Sequence, residues 1–175
     1  MKRRLYNPVL TVWALFWIVC SAQAEFDVPV SDSLQQDGVR AQQRQLPIML
    51  TFSAIDCPYC RQLEQDFLGP MLISGEYTDR VIIRRLILDD GSRVTDFDGQ
   101  RHAVDEIAGR YKAWLTPTIV FIDGSGREVA GRIVGINTPE LFGGYLDACI
   151  DTALLRIRDP DSTVKYAGCD DPGRN

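Results

Sequence analysis

Ten consecutive residues constrain this chain more than any others: Thr51-Phe52-Ser53-Ala54-Ile55-Asp56-Cys57-Pro58-Tyr59-Cys60. The apolar run Leu46 to Ala54 leads into the cysteines and predicts one central, largely buried strand. After it, Leu63, Phe67 and Leu68 fall on one face of a predicted helix from Pro58 to Leu68. Proline suits the first helical position, where its missing N–H would have no partner and its φ is already helical. Cys57 then sits at the positive end of the helix, where unpaired backbone N–H groups favour a thiolate. Cys60 follows nearly one turn later on the same face, close enough to close a small disulfide ring. A nucleophilic thiol with a resolving thiol at this spacing is the minimum for thiol–disulfide exchange.

Two other uses of the same spacing fit less well. C-x-x-C is half of a tetrahedral zinc site, which needs two more ligands at suitable spacing. The remaining cysteines downstream, Cys149 and Cys169, are far apart, and the only histidine is His102, so no metal is expected. A purely structural disulfide across three residues would constrain almost no loop.

The N-terminus reads as a secretory signal, residues 1–24. Lys2, Arg3 and Arg4 precede an almost unbroken apolar run from Val9 to Cys20, and Ala22-Gln23-Ala24 places small residues where a signal peptidase needs them. The run is short for a membrane span, though an uncleaved anchor is the alternative to cleavage after Ala24. Val19 is branched where a lipoprotein site at Cys20 would want a small residue. Nineteen basic residues stand against 24 acidic ones over the whole chain, and losing the signal makes the product more acidic still. Nucleic-acid binding depends on basic patches and is not expected. No later apolar run is long enough to span a bilayer, so the mature protein is expected not to be membrane-embedded. Its four cysteines would occupy a compartment where disulfides persist.

Along the chain, residues 25–45 form a lead-in, loose from Glu25 to Ser33, and a Gln-rich helix with Leu34, Val39 and Ala41 as its apolar contacts. Gly69-Pro70 is expected to break or kink the cysteine helix. Val81 to Leu88 reads as a second strand, and Asp89 to Gln100 as a long polar loop whose acidic spacing misses the EF-hand pattern. His102 to Trp114 returns to helical period, with Val104, Ile107, Ala108 and Tyr111 on one face and His102 at the surface near its start. Thr116-Pro117 opens a strand to Asp123, and Gly124-Ser125-Gly126 turns into a further strand from Arg127 to Val134. Thr138, as N-cap, and Pro139 start a last helix to about Arg158, followed by a polar tail, 159–175. Cys149 and Cys169 either pair, tying the tail to that helix, or Cys149 stays a small buried thiol.

Together these residues resemble the thioredoxin-like family over 46–158. They are a buried strand feeding Cys57-Pro58-Tyr59-Cys60, then Thr116-Pro117-Thr118 leading into Ile119-Val120-Phe121-Ile122-Asp123, then the hairpin and a final helix. The resemblance implies an α/β thioredoxin-like fold with a central mixed sheet of four or five strands flanked by helices. It implies a cis Pro117 packed against the dithiol and a substrate peptide added as a strand at Thr116, with Pro58 and Tyr59 also in contact. The tetrapeptide is the one familiar from glutaredoxins, whereas the N-terminal extension, the Asp-Gly-Ser-Gly turn and the export signal fit that family less well. Thioredoxins proper carry a buried Asp at the position of Thr51, so that proton-transfer role is vacant here or falls to water or Glu64. They also carry Trp where Asp56 precedes Cys57, and a negative charge there opposes the helix end.

The resulting expectation is a periplasmic thiol–disulfide oxidoreductase, with Cys57 attacking and Cys60 resolving. It would need no dissociable cofactor, act on disulfide-containing protein substrates and take electrons from a membrane protein. Reduction is favoured over oxidation on the general look of the family. A disulfide-forming oxidant or isomerase, and a non-catalytic interaction module, are the alternatives.

Overall fold

In the computed structural model, residues 27–162 and Cys169 are described; the expected signal peptide and most of the tail lie outside them. In chain order the elements are α1 (Leu34–Arg44), β1 (Ile48–Ser53), α2 (Pro58–Leu63), a π-helical turn (Glu64–Leu68), α3 (Gly69–Ser74), β2 (Ile82–Ile87), β3 (Arg93–Thr95), β4 (Arg101–Ala103), α4 (Val104–Arg110), β5 (Thr118–Ile122), β6 (Ile133–Val134) and α5 (Pro139–Arg158).

Strand β1 is buried along its whole length, because it is one of the sheet's two inner strands and helices cover both faces. It runs parallel to β2, with Thr51 opposite Arg85, and antiparallel to β5, with Thr51 opposite Ile119. The sheet order is β2-β1-β5-β6. Alternation along each strand divides the core in two. Met49, Ile83, Ile119 and Phe121 face Leu63, Leu68, Phe142, Leu146 and Ile150 from the cysteine helix and α5. Ile48, Leu50, Phe52, Val120 and Ile122 face Leu34 and Ala41 of α1 and Val104, Ile107 and Ala108 of α4. Each such side chain contributes about 1.5–3 kcal/mol on burial, so a one-residue slip of β1 would exchange its two apolar faces.

Several elements depart from the sequence expectation for identifiable reasons. Gly69-Pro70 does not break the helix: the π turn before it lets the Gly69 N–H reach the Glu64 carbonyl, and Pro70 falls in the first turn of α3, where a missing donor is tolerated. The polar stretch after β2 folds into the hairpin β3–β4, anchored by buried Val94 and by Phe97 packed close to Gly38 and Gly126. His102 therefore lies on β4, and α4 is shorter than its pattern implied. Gly38 is buried in α1 where Val39 is exposed, because no Cβ fits there: it would come within 2.5 Å of the Gly124 carbonyl oxygen.

Past the turn at Gly126, only Glu128 bridges Ile122 before β6 pairs with β5, so the expected continuous strand is two short contacts. Thr138 adopts φ 52° and its side chain caps nothing, although Pro139 does begin α5. The lead-in is not loose either. Val30 bridges Arg85 in parallel; the Ser31 N–H donates to the Arg85 carbonyl at 3.0 Å, and the Arg85 N–H to the Pro29 carbonyl at 2.9 Å. Asp37 in α1 fastens this segment, accepting from the Ser31 hydroxyl at 2.7 Å and from Arg84 Nε at 2.8 Å.

Cys149 and Cys169 are joined by a disulfide, with both residues buried and Cα atoms 5.0 Å apart. Among the described residues, no helix is long and apolar enough to cross a membrane.

Candidate active site

The cysteine pair sits where β1 leaves the sheet. Between Ser53 and Cys57 the chain turns over the sheet end, pinned by a hydrogen bond from the Ile55 N–H to Asp89 Oδ1 at 2.9 Å. Cys57 is the N-cap of α2, in extended backbone, and its Sγ accepts the Cys60 N–H at 3.1 Å. Pro58 occupies the first helical position. Cys57 and Cys60 are disulfide-bonded, with Cα atoms 5.2 Å apart. Cys57 is 7% exposed and Cys60 2%, so the outer sulfur is the one at the helix end, where positive backbone potential favours a thiolate.

A second element completes the site from across the sheet. The loop before β5 brings the Thr116 hydroxyl to Cys57 Sγ, to which it donates at 3.5 Å. The Thr116–Pro117 peptide is cis, and Pro117 is buried with its carbonyl accepting the Gly135 N–H at 2.8 Å. Tyr59 is exposed beside the disulfide. Cys57, Pro58, Tyr59, Cys60, Thr116 and Pro117 thus lie at one end of the sheet, whereas Cys149 and Cys169 belong to the core against α5.

On β1, Thr51, where the resemblance to thioredoxins leads one to expect a buried acid, is 1% exposed. Its Oγ1 has no hydrogen-bond partner among the described residues. Glu64, one turn after Cys60, directs its carboxylate to Arg85 at 2.7 Å, and Arg85 also reaches Asp27 at 2.7 Å. Sequence reasoning missed Arg85. The available signal was two arginines, Arg84 and Arg85, inside a β-branched strand, which calls for partners on both faces; Asp37 and Glu64 supply them.

Asp96, Asp98 and His102 bring their ligand atoms within 4.8 Å of one another, but Asp96 is ion-paired with Arg110. His102 is raised in pKa by its hydrogen bond with Asp98, with Glu106 also contributing. This group sits on the β3–β4 hairpin.

A model of the thioredoxin-like domain matches residues 34–150. The chain belongs to the thioredoxin-like family. Among solved structures, the thioredoxin-like protein is similar to a thioredoxin-fold protein from Helicobacter pylori (19% identity, 65% of this chain and 72% of that one, TM-score 0.50). It is similar too to oxidised thioredoxin O2 from Arabidopsis thaliana (20% identity, 68% and 91%, TM-score 0.46). Mitochondrial thioredoxin 3 from Saccharomyces cerevisiae gives 22% identity, 69% and 94%, with a TM-score of 0.44. No curated protein matches the chain by sequence. At these identities the structural likeness concerns the fold, a mixed four-stranded sheet flanked by helices. The family and the Cys57–Cys60 pair together make this thioredoxin-like protein a thiol–disulfide oxidoreductase.

Proposed function

We propose that this thioredoxin-like protein is exported to the periplasm and reduces disulfides in other proteins there. In the reduced protein, the Cys57 thiolate attacks one sulfur of the substrate disulfide; a mixed disulfide forms and the first substrate thiolate leaves. Cys60 then gives up its proton and attacks Cys57 Sγ, releasing the second substrate thiolate. Two electrons pass to the substrate, its thiolates take up protons, and the protein is left with the Cys57–Cys60 disulfide. Thr116 supplies main chain for an incoming extended segment, with Pro117, Pro58 and Tyr59 as its walls. Electrons return from a donor protein, which for an exported reductase is a membrane protein.

The observation that carries this reading is Cys57 as N-cap, its sulfur touched by the Cys60 N–H and the Thr116 hydroxyl. The direction rests on what surrounds it. Pro58 and Tyr59 bring no positive charge and Asp56 adds a negative one, so the reduced form lacks the strong stabilisation that makes an oxidant. Export is supported by the basic start, the apolar run and Ala22-Gln23-Ala24, and by a second, buried disulfide of the kind an oxidising compartment preserves.

The deciding measurement is the equilibrium potential of the Cys57–Cys60 pair, with Cys149 and Cys169 followed separately by mass. A value near roughly −270 mV supports a reductase, and one near about −120 mV makes the protein an oxidant. Failure to exchange with dithiothreitol or glutathione would leave a non-catalytic interaction module.

A further inference from the structure

The β3–β4 hairpin gathers three metal-ligating side chains that the dithiol site does not use. Asp96 directly follows β3, Asp98 sits in the turn, and His102 lies on β4, paired with Val94 across the hairpin. One ligand atom from each lies within 4.8 Å of the others. The backbone that carries them is held in place. The Asp96 N–H donates to the Gln100 carbonyl at 2.8 Å, and the Gly99 N–H to the Asp96 carbonyl at 2.9 Å. Asp98 Oδ1 accepts the Gln100 N–H at 2.8 Å, while its Oδ2 is turned to His102 Nε2 at 3.1 Å.

The imidazole makes this group more than an acidic loop. Its Nε2 faces Asp98, and its Nδ1 faces Glu106 Oε2 at 3.4 Å. A neutral ring has one N–H, so in either tautomer one nitrogen meets a carboxylate oxygen lone pair to lone pair. A cation shared between them, a proton or a metal ion, relieves that clash. With Nδ1–H given to Glu106, Nε2 is available as a ligand, in the carboxylate-backed arrangement that holds most metal-bound histidines. Asp96 supplies a fixed charge: its side chain is 3% exposed, whereas that of its ion-pair partner Arg110 is 53% exposed. The arginine can turn out to water and the carboxylate cannot, so one cation can be exchanged there for another. An open cleft of about 640 Å³, bordered by Asp96, Asp98 and Arg110, gives the way in.

We propose that Asp96, Asp98 and His102 bind one zinc ion, with Glu106 behind the imidazole and water from the cleft in the remaining position. Imidazole with carboxylates is a donor set that zinc accepts, while calcium and magnesium take oxygen ligands. Zinc holds each donor at about 2.0–2.2 Å, which sets them roughly 3.4 Å apart in a tetrahedron. The solvent-accessible Asp98 and His102 side chains close that distance by rotation. The ion ties the hairpin turn to β4 and, through Glu106, to α4, and it releases Arg110 to solvent. Neither disulfide takes part, so the site stands apart from the oxidoreductase reading.

The test titrates the oxidised mature protein, without a histidine tag, with zinc chloride in a calorimeter. Both cysteine pairs are then disulfides, and thiolates do not compete for the ion. One ion per chain is expected, with a rise in Tm at saturation. His102 is the only histidine, so its ring nitrogens in a long-range nitrogen-15 spectrum report this site alone, and Nε2 should shift as a metal ligand. His102→Ala and Asp98→Asn should each weaken binding at least about tenfold, since even an outer-shell partner is worth that much. Circular dichroism checks that each variant is folded. Arg110→Gln should tighten binding, because the competing cation is gone. Absence of binding to the parent overturns the site, as does an affinity that survives both ligand changes. Calcium chloride binding as tightly as zinc would remove His102 from the ligand set, and an affinity not raised by Arg110→Gln would remove Asp96; either overturns the proposal. Zinc uptake that appears only after reduction with dithiothreitol would place the ion on the cysteines instead.

Discussion

Replacing Thr51 by valine should stabilise the protein. Thr51 lies on an inner strand, 1% exposed, opposite Arg85 and Ile119, and its Oγ1 has no hydrogen-bond partner among the described residues. A buried hydroxyl left unpaired costs about 1–3 kcal/mol. Valine has nearly the same shape and the same β-branched stiffness, and it suits a strand at least as well. Removing the hydroxyl recovers part of that penalty, so a gain of about 1–2 kcal/mol is expected. For a domain of this length that corresponds to a rise in Tm of roughly 3–6 °C. Urea unfolding of the oxidised protein, followed by far-ultraviolet circular dichroism, measures the gain as a higher midpoint at constant slope. The same variant should oxidise a substrate-sized dithiol and reduce its disulfide at the parent rate, because the hydroxyl contacts neither sulfur. A lower midpoint would refute the reasoning by showing that Oγ1 makes a bond worth keeping. An unchanged midpoint with a slower release of mixed disulfide would assign the hydroxyl to proton movement at Cys60.

Three further outcomes follow. Removing the second disulfide with Cys149→Ala and Cys169→Ala, across a sequence separation of 20, should cost about 3 kcal/mol in urea unfolding and leave the Cys57–Cys60 potential unaltered. Gly126→Ala places a Cβ within 2.6 Å of Phe97 at a backbone φ of +84°; a loss of roughly 1–3 kcal/mol is expected, with the β3–β4 hairpin losing protection first in hydrogen exchange. For Asp123, burial pushes the carboxyl up, but hydrogen bonds from Ser125 and Arg127 outweigh it and hold the pKa below its ordinary value. A depressed folded pKa means stability that is present above the unfolded value near 3.9 and is lost as pH falls through the folded one. Asp123→Asn should therefore be less stable than the parent at pH 7, and the gap should close in acid; a gap that persists below the folded pKa would contradict this.

What could be seen in the sequence was whatever is written locally and strongly. The run into Cys57, the helix opened by Pro58 and the proline before Thr118 each combine a periodic pattern with a residue of fixed backbone preference, and each stands where it was expected. The β3–β4 hairpin was not visible because Val94 and Phe97 are too few to set a period, and their packing partners, Gly38 and Gly126, come from either side of the stretch. The widened turn by which the chain passes Gly69-Pro70 without a break is a matter of backbone register that composition does not encode. Thr138 had the right residue type for a cap, but a left-handed backbone points its hydroxyl elsewhere. At the site, the two sulfurs were legible from spacing alone. The Glu64–Arg85 pair was not, since only the packing of the cysteine helix on β2 brings those residues together.

The short bridge of Val30 to Arg85 bears on how a sheet of this kind avoids pairing with other chains. A sheet border with free N–H and carbonyl groups is a template on which any unfolded chain can polymerise. Here the residues around Val30 occupy part of the β2 border, and at the far side β6 is only two residues long, too short to seed a ladder. Neither border of the four-stranded sheet therefore offers another chain a long uninterrupted row among the described residues.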